Sequence, residues 1–173
     1  MTVALLPPKM DFVFKRIFGN ENHPNVLISF LNAILNPVDP IKSVILKDTT
    51  IEKSHLEDKY SRLDVKAMTN KGEHINIEIQ LKDEYNMIKR SLYYWSKLYE
   101  GQLENGENYQ KLSRTICINL LDFNLLNHTK FHSVYRLKDC ETDEELTDVM
   151  ELHFIELKKM KDVQRVEEVK TKL

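Results

Sequence analysis

The sequence predicts an α/β domain, a mixed sheet flanked by helices, and three observations carry that expectation. Residues 115–121 form a nearly continuous apolar run, as a strand buried on both faces requires. Segments 62–69 and 74–81 both alternate apolar with polar residues around Asn70-Lys71-Gly72, which reads as a hairpin. Segments 10–18, 24–35 and 84–103 instead repeat apolar residues every three or four positions, the period of a helix. Helices, then strands, then a helix, then strands again is an α/β order.

In chain order, residues 10–18 set Phe14, Ile17 and Phe18 at helical spacing, and Gly19 is a good stop. Pro24 opens a second helix whose broad apolar face carries Val26, Leu27, Phe30, Leu31, Ile34 and Leu35. Asn36-Pro37 ends it. Residues 43–47 read as a short strand, and the polar stretch 49–61 as loop with one helical turn at most. After the hairpin, Glu84 opens a long helix with Ile88, Leu92, Trp95, Leu98 and Tyr99 along one face, and Gly101 and Gly106 mark its end. Beyond the buried strand, 131–137 and 149–157 look like two further strands around an acidic turn. Residues 158–173 hold six basic and three acidic residues, with Met160, Val163, Val166, Val169 and Leu173 stepping by three and four. That is the pattern of a charged amphipathic helix. The expected division is therefore a domain over 1–158 and a charged helical tail over 159–173.

The 173 residues are 42% hydrophobic and 30% charged with 4 Gly and 5 Pro, which excludes disordered and collagen-like classes. A chain of this length buries roughly 70% of its unfolded surface and needs no staples. No apolar stretch approaches the roughly 18 residues of a membrane span; the longest candidate, 26–35, carries Ser29 and Asn32. The N-terminus shows neither the basic region nor the cleavage site of a signal peptide. Cys117 and Cys140 form no CxxC pair, so free thiols in a reducing compartment, the cytoplasm, are expected. A net charge of −2 argues against a protein that coats nucleic acid. An enzyme acting on nucleic acid needs only a local basic surface, and its metal site adds acids of its own.

The hairpin carries the candidate chemistry. Leu63, Val65 and Ala67 share one face of the first strand, and Asp64, Lys66 and Met68 the other. On the second strand Ile75, Ile77 and Ile79 oppose Asn76, Glu78, Gln80 and Lys82. Both apolar sets must lie on the same side, which excludes a two-residue loop at Lys71-Gly72 because it would set Asp64 opposite Ile79. A three-residue loop, Asn70-Lys71-Gly72, sets Thr69 opposite Glu73 and Asp64 opposite Glu78, with Gly72 at its left-handed position. Leu63 then faces Ile79, Val65 faces Ile77 and Ala67 faces Ile75. Carboxylates so opposed stand roughly 5 Å apart at their β-carbons and repel each other, a cost that a divalent cation removes. Mg²⁺ takes one or two carboxylates and fills its other positions with water and substrate phosphate. Gln80 is on the same face and within reach, and Lys66 and Lys82 flank the group where they could hold phosphate. The pattern alone equally describes the wet side of an antiparallel sheet, the simpler reading of an Asp-x13-Glu-x-Gln spacing.

Several segments in order resemble the PD-(D/E)XK nuclease superfamily and, within it, the recombination-promoting nuclease/transposase family. They are D-F-V-F-K-R-I-F-G from Asp11, L-N-A-I-L from Leu31, and L-D-V-K-A with H-I-N-I-E-I-Q carrying Asp64, Glu78 and Gln80. K-R-S-L-Y-Y-W-S-K-L-Y from Lys89, G-Q-L-E-N-G-E-N-Y-Q-K-L from Gly101 and F-I-E-L-K-K from Phe154 complete the set, so the resemblance covers roughly 9–159. It implies a restriction-endonuclease-like core and a metal-dependent DNA endonuclease. In that reading Asp64 and Glu78 bind Mg²⁺ or Mn²⁺, whose water attacks the phosphodiester bond. Gln80 stands where the superfamily has a catalytic Lys, which removes a charge and leaves a hydrogen-bonding group. Asp11, in the first helix, is the implied third acid at the metal; as an acid in a helix's first turn it also suits the helix dipole. Lys15, one turn later, either meets phosphate or pairs with Asp11. The resemblance also implies a longer charged helical continuation, so either a truncated or a naturally short copy fits a pattern still running at Leu173.

Arg90, Tyr94 and Lys97 form a polar stripe at i, i+4 and i+7 of the long helix, available to a phosphate backbone or to plain solvent. The histidines organise no site: His128 and His132 lie four apart, but in loop and strand rather than helix. Cys117 reads as a packed core thiol, and no Ser-His-Asp set or phosphate-cradling Gly loop appears. The leading expectation is a Mg²⁺-dependent DNA endonuclease with DNA as its partner, no membrane and no small-molecule cofactor. The alternatives are an inactive relative that binds nucleic acid or protein, and a structural interaction module that forms a homodimer.

Overall fold

The structure, a computed structural model, describes residues 10–51, 61–62 and 64–160. Helices α1 (Asp11–Phe18) and α2 (Pro24–Leu35) lead into strand β1 (Val44–Lys47), as the periodicity predicts. Strands β2 (Thr50–Ile51) and β3 (Ser61–Arg62) pair as a separate two-stranded ribbon. The hairpin follows as β4 (Val65–Thr69) and β5 (His74–Gln80), then helix α3 (Met87–Glu100), β6 (Thr115–Leu121), β7 (His132–Lys138) and β8 (Glu145–Glu156). The main sheet runs β1-β4-β5-β6-β8-β7. β5, β6 and β8 are parallel neighbours and the remaining pairs antiparallel, so the sheet is mixed.

The sheet is covered on both sides. Ile75, Ile77, Ile116, Ile118 and Ile155 pack with Phe14, Leu27 and Leu31 under α1 and α2. Cys117, Leu121, Leu152 and Phe154 pack with Met87 and Trp95 of α3 on the opposite face. β6 is buried at every position, as its apolar run predicts, and the Cys117 thiol sits in the core. Phe18 bridges Phe14 and Phe30 by ring contacts at 4.7 and 5.0 Å, which ties α1 to α2. Val26, expected in the α2 face, is instead exposed, because the helix turns Leu27 and Leu31 toward the sheet.

Three boundaries differ most from expectation, each for a local reason. The strand expected over 62–69 is interrupted: Arg62 belongs to the ribbon, and Asp64 lies in a bend before β4. There the β4–β5 ladder ends at Val65–Ile77, and side-chain-to-backbone hydrogen bonds of Asp64 and Glu78 take its place. α3 starts at Met87 rather than Glu84. Tyr85 is left-handed with φ 58° and donates its N–H to the Asp83 carboxylate, a turn that no helix can pass through. β8 starts at Glu145, four residues early, because Asp139 closes a tight turn by accepting N–H groups from Glu141 and Thr142. The stretch 49–61 contributes β2 and β3 at its ends; its centre, 52–60, and the helical pattern over 161–173 lie outside the described residues.

α3 is also turned about its axis relative to its hydrophobic pattern. Met87, Ser91, Tyr94 and Leu98 are buried, whereas Ile88 and Leu92, expected inside, are 48% and 41% exposed. The sheet face beneath α3 carries the polar Glu78 and Asn119 beside its apolar residues, so the helix presents polar partners to it. Ser91 Oγ donates to Asn119 Oδ1 at 2.9 Å, and Arg90 reaches Glu78. Among the described residues no helix is long and apolar enough to cross a membrane.

Candidate active site

The turn at Asn70-Lys71-Gly72 sets the site. Gly72 takes φ +80° and donates its N–H to Thr69 O, while Thr69 N–H donates to Glu73 O, so Thr69 and Glu73 are opposed as the parity argument requires. The ladder then pairs Val65 with Ile77 and Ala67 with Ile75. At its far end the two acids interlock: Asp64 N–H donates to Glu78 Oε1 at 3.2 Å, and Ile79 N–H donates to Asp64 Oδ2 at 2.9 Å.

This face is not wet. β5 is a central strand, and the Glu78 and Asp64 side chains are 1% and 11% exposed. Burial, then the Asp64 charge, pushes the Glu78 carboxyl up to about 7, against the Asp64 N–H and Arg90, which favour its ionised form. Burial raises Asp64 as well, although the Ile79 N–H and Lys15 oppose it. Two cations from separate helices hold the pair. Lys15 Nζ of α1 stands 3.0 Å from Asp64 Oδ1 and 3.0 Å from Asp11 Oδ1. Arg90 of α3 donates from Nη2 to Glu78 Oε2 at 3.2 Å and from Nη1 to Gln80 Oε1 at 2.8 Å, with its Cζ 5.4 Å from the centre of the Tyr94 ring.

The remaining candidates fall at different distances from this centre. Asp11 meets Asp64 through Lys15, and no cluster of three His, Cys, Asp or Glu side chains suited to a metal occurs among the described residues. Lys66 is half-buried opposite Asn76, and it lines a cleft with Lys15, Lys47 and Asp64. Lys82 is exposed in the bend after β5. Tyr94 is buried beneath Arg90. Lys97 lies seven residues along α3, about 10 Å from Arg90 by helical rise, and pairs with Glu100. The polar stripe of α3 therefore meets the sheet at Arg90, with the buried Tyr94 ring against the guanidinium.

Two features carried no sequence signal. Lys47 of β1 stands directly opposite Lys66, and no described acid is paired with either; their charges, after burial, lower the His74 pKa. The β1–β4 pairing that joins them spans some twenty residues. The histidines, expected to organise nothing, are gathered by β7 and β8 into a buried network. His132 Nε2 meets His153 Nδ1 at 2.8 Å, and His153 Nε2 meets Glu151 Oε1 at 2.6 Å. Arg114 and Arg136 both pair with Glu151 Oε2. In F-I-E-L-K-K, Glu156 is wholly buried, accepts the Leu125 and Leu126 N–H groups and pairs with Lys159 at 2.6 Å.

The donor set suits a hard divalent cation. Two carboxylates at the end of one hairpin are anchored by backbone N–H groups, are held apart from bulk water, and keep further lone pairs on their oxygens. A family model described as PD-(D/E)XK nuclease family transposase matches residues 8–173. No curated protein matches the chain. The six-stranded mixed sheet flanked by helices agrees with the restriction-endonuclease-like core of that superfamily.

Proposed function

The chain belongs to the PD-(D/E)XK nuclease family, and from that premise we propose that it is a metal-dependent endonuclease that hydrolyses phosphodiester bonds of DNA. Membership implies DNA as the substrate. The observation that carries the reading is the interlocked, buried pair Asp64–Glu78, whose raised carboxyls favour a cation between them.

In this reading Asp64 and Glu78 are the ligands of Mg²⁺ or Mn²⁺, and Asp11 is a third acid joined to them through Lys15. When bound, the metal supplies an acidified water and positive charge for the phosphate. The protein's own groups do the rest. The cleft lined by Lys15, Lys47 and Lys66 receives backbone phosphates beside Asp64. Arg90 keeps Glu78 in place, and Gln80 hydrogen-bonds at the reacting centre. Lys82, exposed after β5, would meet a flanking phosphate, and Lys97, largely covered and paired with Glu100, would have to leave that pair to do so. Strand breakage is what such an enzyme contributes to recombination, and a homodimer would bring two sites to the two strands of a duplex. The free thiols of Cys117 and Cys140 fit a cytoplasmic setting.

One observation favours a second reading, a non-catalytic relative that binds nucleic acid or protein: Lys15 and Arg90 already neutralise both acids, and Gln80 lacks the usual charge. Cleavage of supercoiled plasmid with Mg²⁺ or Mn²⁺ decides between them. Nicking that disappears with EDTA and in Asp64→Ala, with an unchanged circular dichroism spectrum, supports the nuclease. A folded native chain that binds duplex DNA without cutting it supports the binding module.

A further inference from the structure

We propose that Arg90 is a positioning residue that fixes Gln80 as a hydrogen-bond donor at the reacting centre, so that the two together supply what the lysine of a Glu-x-Lys site supplies alone. The inference rests on the nuclease reading of the hairpin and adds to it a role for the residue that departs from the family pattern.

A guanidinium is a donor only, so the Gln80 side-chain atom 2.8 Å from Arg90 Nη1 is the carbonyl oxygen. That orientation is set by the partner's chemistry. With Oε1 engaged, the amide end left for the site is the NH₂ group, which donates. The same guanidinium takes Glu78 Oε2 at 3.2 Å through Nη2. Glu78 and Gln80 are two apart on β5 and share a face, so one planar fork spans both. The fork is itself held: Arg90 lies over the Tyr94 ring one turn along α3.

The alternative role for Gln80, metal ligation through Oε1, places a divalent cation at an oxygen already facing a guanidinium. Like charges at such spacing repel strongly in a buried site, and Gln80 has a single oxygen, whereas Asp64 and Glu78 each keep a second one that faces a backbone N–H rather than a cation. The geometry instead divides the work of a lysine, with the donor coming from the Gln80 amide and the fixed positive charge from Arg90.

The test uses the full chain with two readouts, calcium binding by calorimetry as a metal probe and Mn²⁺-dependent plasmid nicking. Gln80→Glu keeps an acceptor for Arg90, adds a carboxylate and removes the donor. Its nicking is expected to fall at least 100-fold while its calcium affinity does not weaken. Gln80→Met is expected to leave calcium affinity within threefold of native. Arg90→Met leaves Glu78 buried without its cation, so it is compared with Gln80→Lys/Arg90→Met, in which the lysine restores donor and charge together. Nicking in the double variant is expected to return to within tenfold of native. A Gln80→Glu protein that cuts like the native chain and binds calcium more tightly overturns the proposal, as does a tenfold or greater loss of calcium affinity in Gln80→Met. If the native chain binds calcium but cuts nothing, the nuclease reading fails, and the calcium response of Gln80→Met still supports or overturns the orientation of Gln80. A native chain that neither binds calcium nor cuts overturns both.

Discussion

Glu78 shows how a single residue can be costly to the fold and useful to the site. Its carboxyl, pushed up to about 7 by burial and by Asp64, is more easily ionised in the unfolded chain than in the folded one. The fold is therefore most stable, as far as this group is concerned, below its ordinary pKa, and loses stability as pH rises through about 7. A shift of this size corresponds to about 3 kcal/mol. In EDTA, Glu78→Gln is expected to raise the Tm by several degrees at pH 8 and to lose that advantage by pH 5. Lower stability of the variant at pH 8 would contradict this account. Asp64→Ala is expected to abolish plasmid nicking while its circular dichroism spectrum stays that of the native chain.

The hairpin was readable as an element because its information is local. A period of two, a Gly at the third loop position and the need to place both isoleucine and valine sets on one side leave a single register, and the ladder has it. Gly72 carries the turn at φ +80°, and a Cβ there would meet nothing closer than Ser113 Oγ at 3.9 Å. Gly72→Ala is thus a test of backbone conformation alone. It should cost about 1 kcal/mol in urea unfolding while cleavage by the folded protein persists. α3 was less readable. Its pattern places Ile88 and Leu92 inward, but the polar groups beneath it select the row with Ser91, Tyr94 and Arg90. Hydrophobic periodicity finds the helix; the chemistry of the opposing surface chooses its face.

At the scale of the molecule, a charged network crosses four strands. Glu73 ahead of β5, Arg114 ahead of β6, Glu151 and His153 of β8, and Arg136 and His132 of β7 are linked in one chain of contacts. Burial, then the His153 charge, lowers the His132 pKa to about 4, so the fold holds His132 neutral. A base lowered in this way contributes stability that is complete above its ordinary pKa near 6.5 and is lost as pH falls toward 4, about 3 kcal/mol in all. Burial opposes ionisation of Glu151, but His153 and Arg114 outweigh it and hold its pKa near 2, which places its contribution at still lower pH. Because Glu78 gains stability over nearly the same window, the His132 effect is read in a Glu78→Gln background, where thermal melts should show the Tm falling between pH 6.5 and 4 and the added His132→Gln should flatten that slope. An unchanged slope would remove His132 from the acid response.

The α/β order, the hairpin register and the meeting of Asp64 with Glu78 are legible in the amino-acid chain. Each follows from spacings within about fifteen residues and from the fixed periods of helix and strand. Burial of the polar face of β5 comes instead from assembly, because sheet order sets β5 between β4 and β6 and α3 covers it. The same assembly brings Lys15 and Arg90 to the acids, sets Lys47 opposite Lys66 and gathers the histidines of β7 and β8. Periodicity records which side a residue faces, but whether that side meets water, an acid or a cation depends on which distant element packs against it.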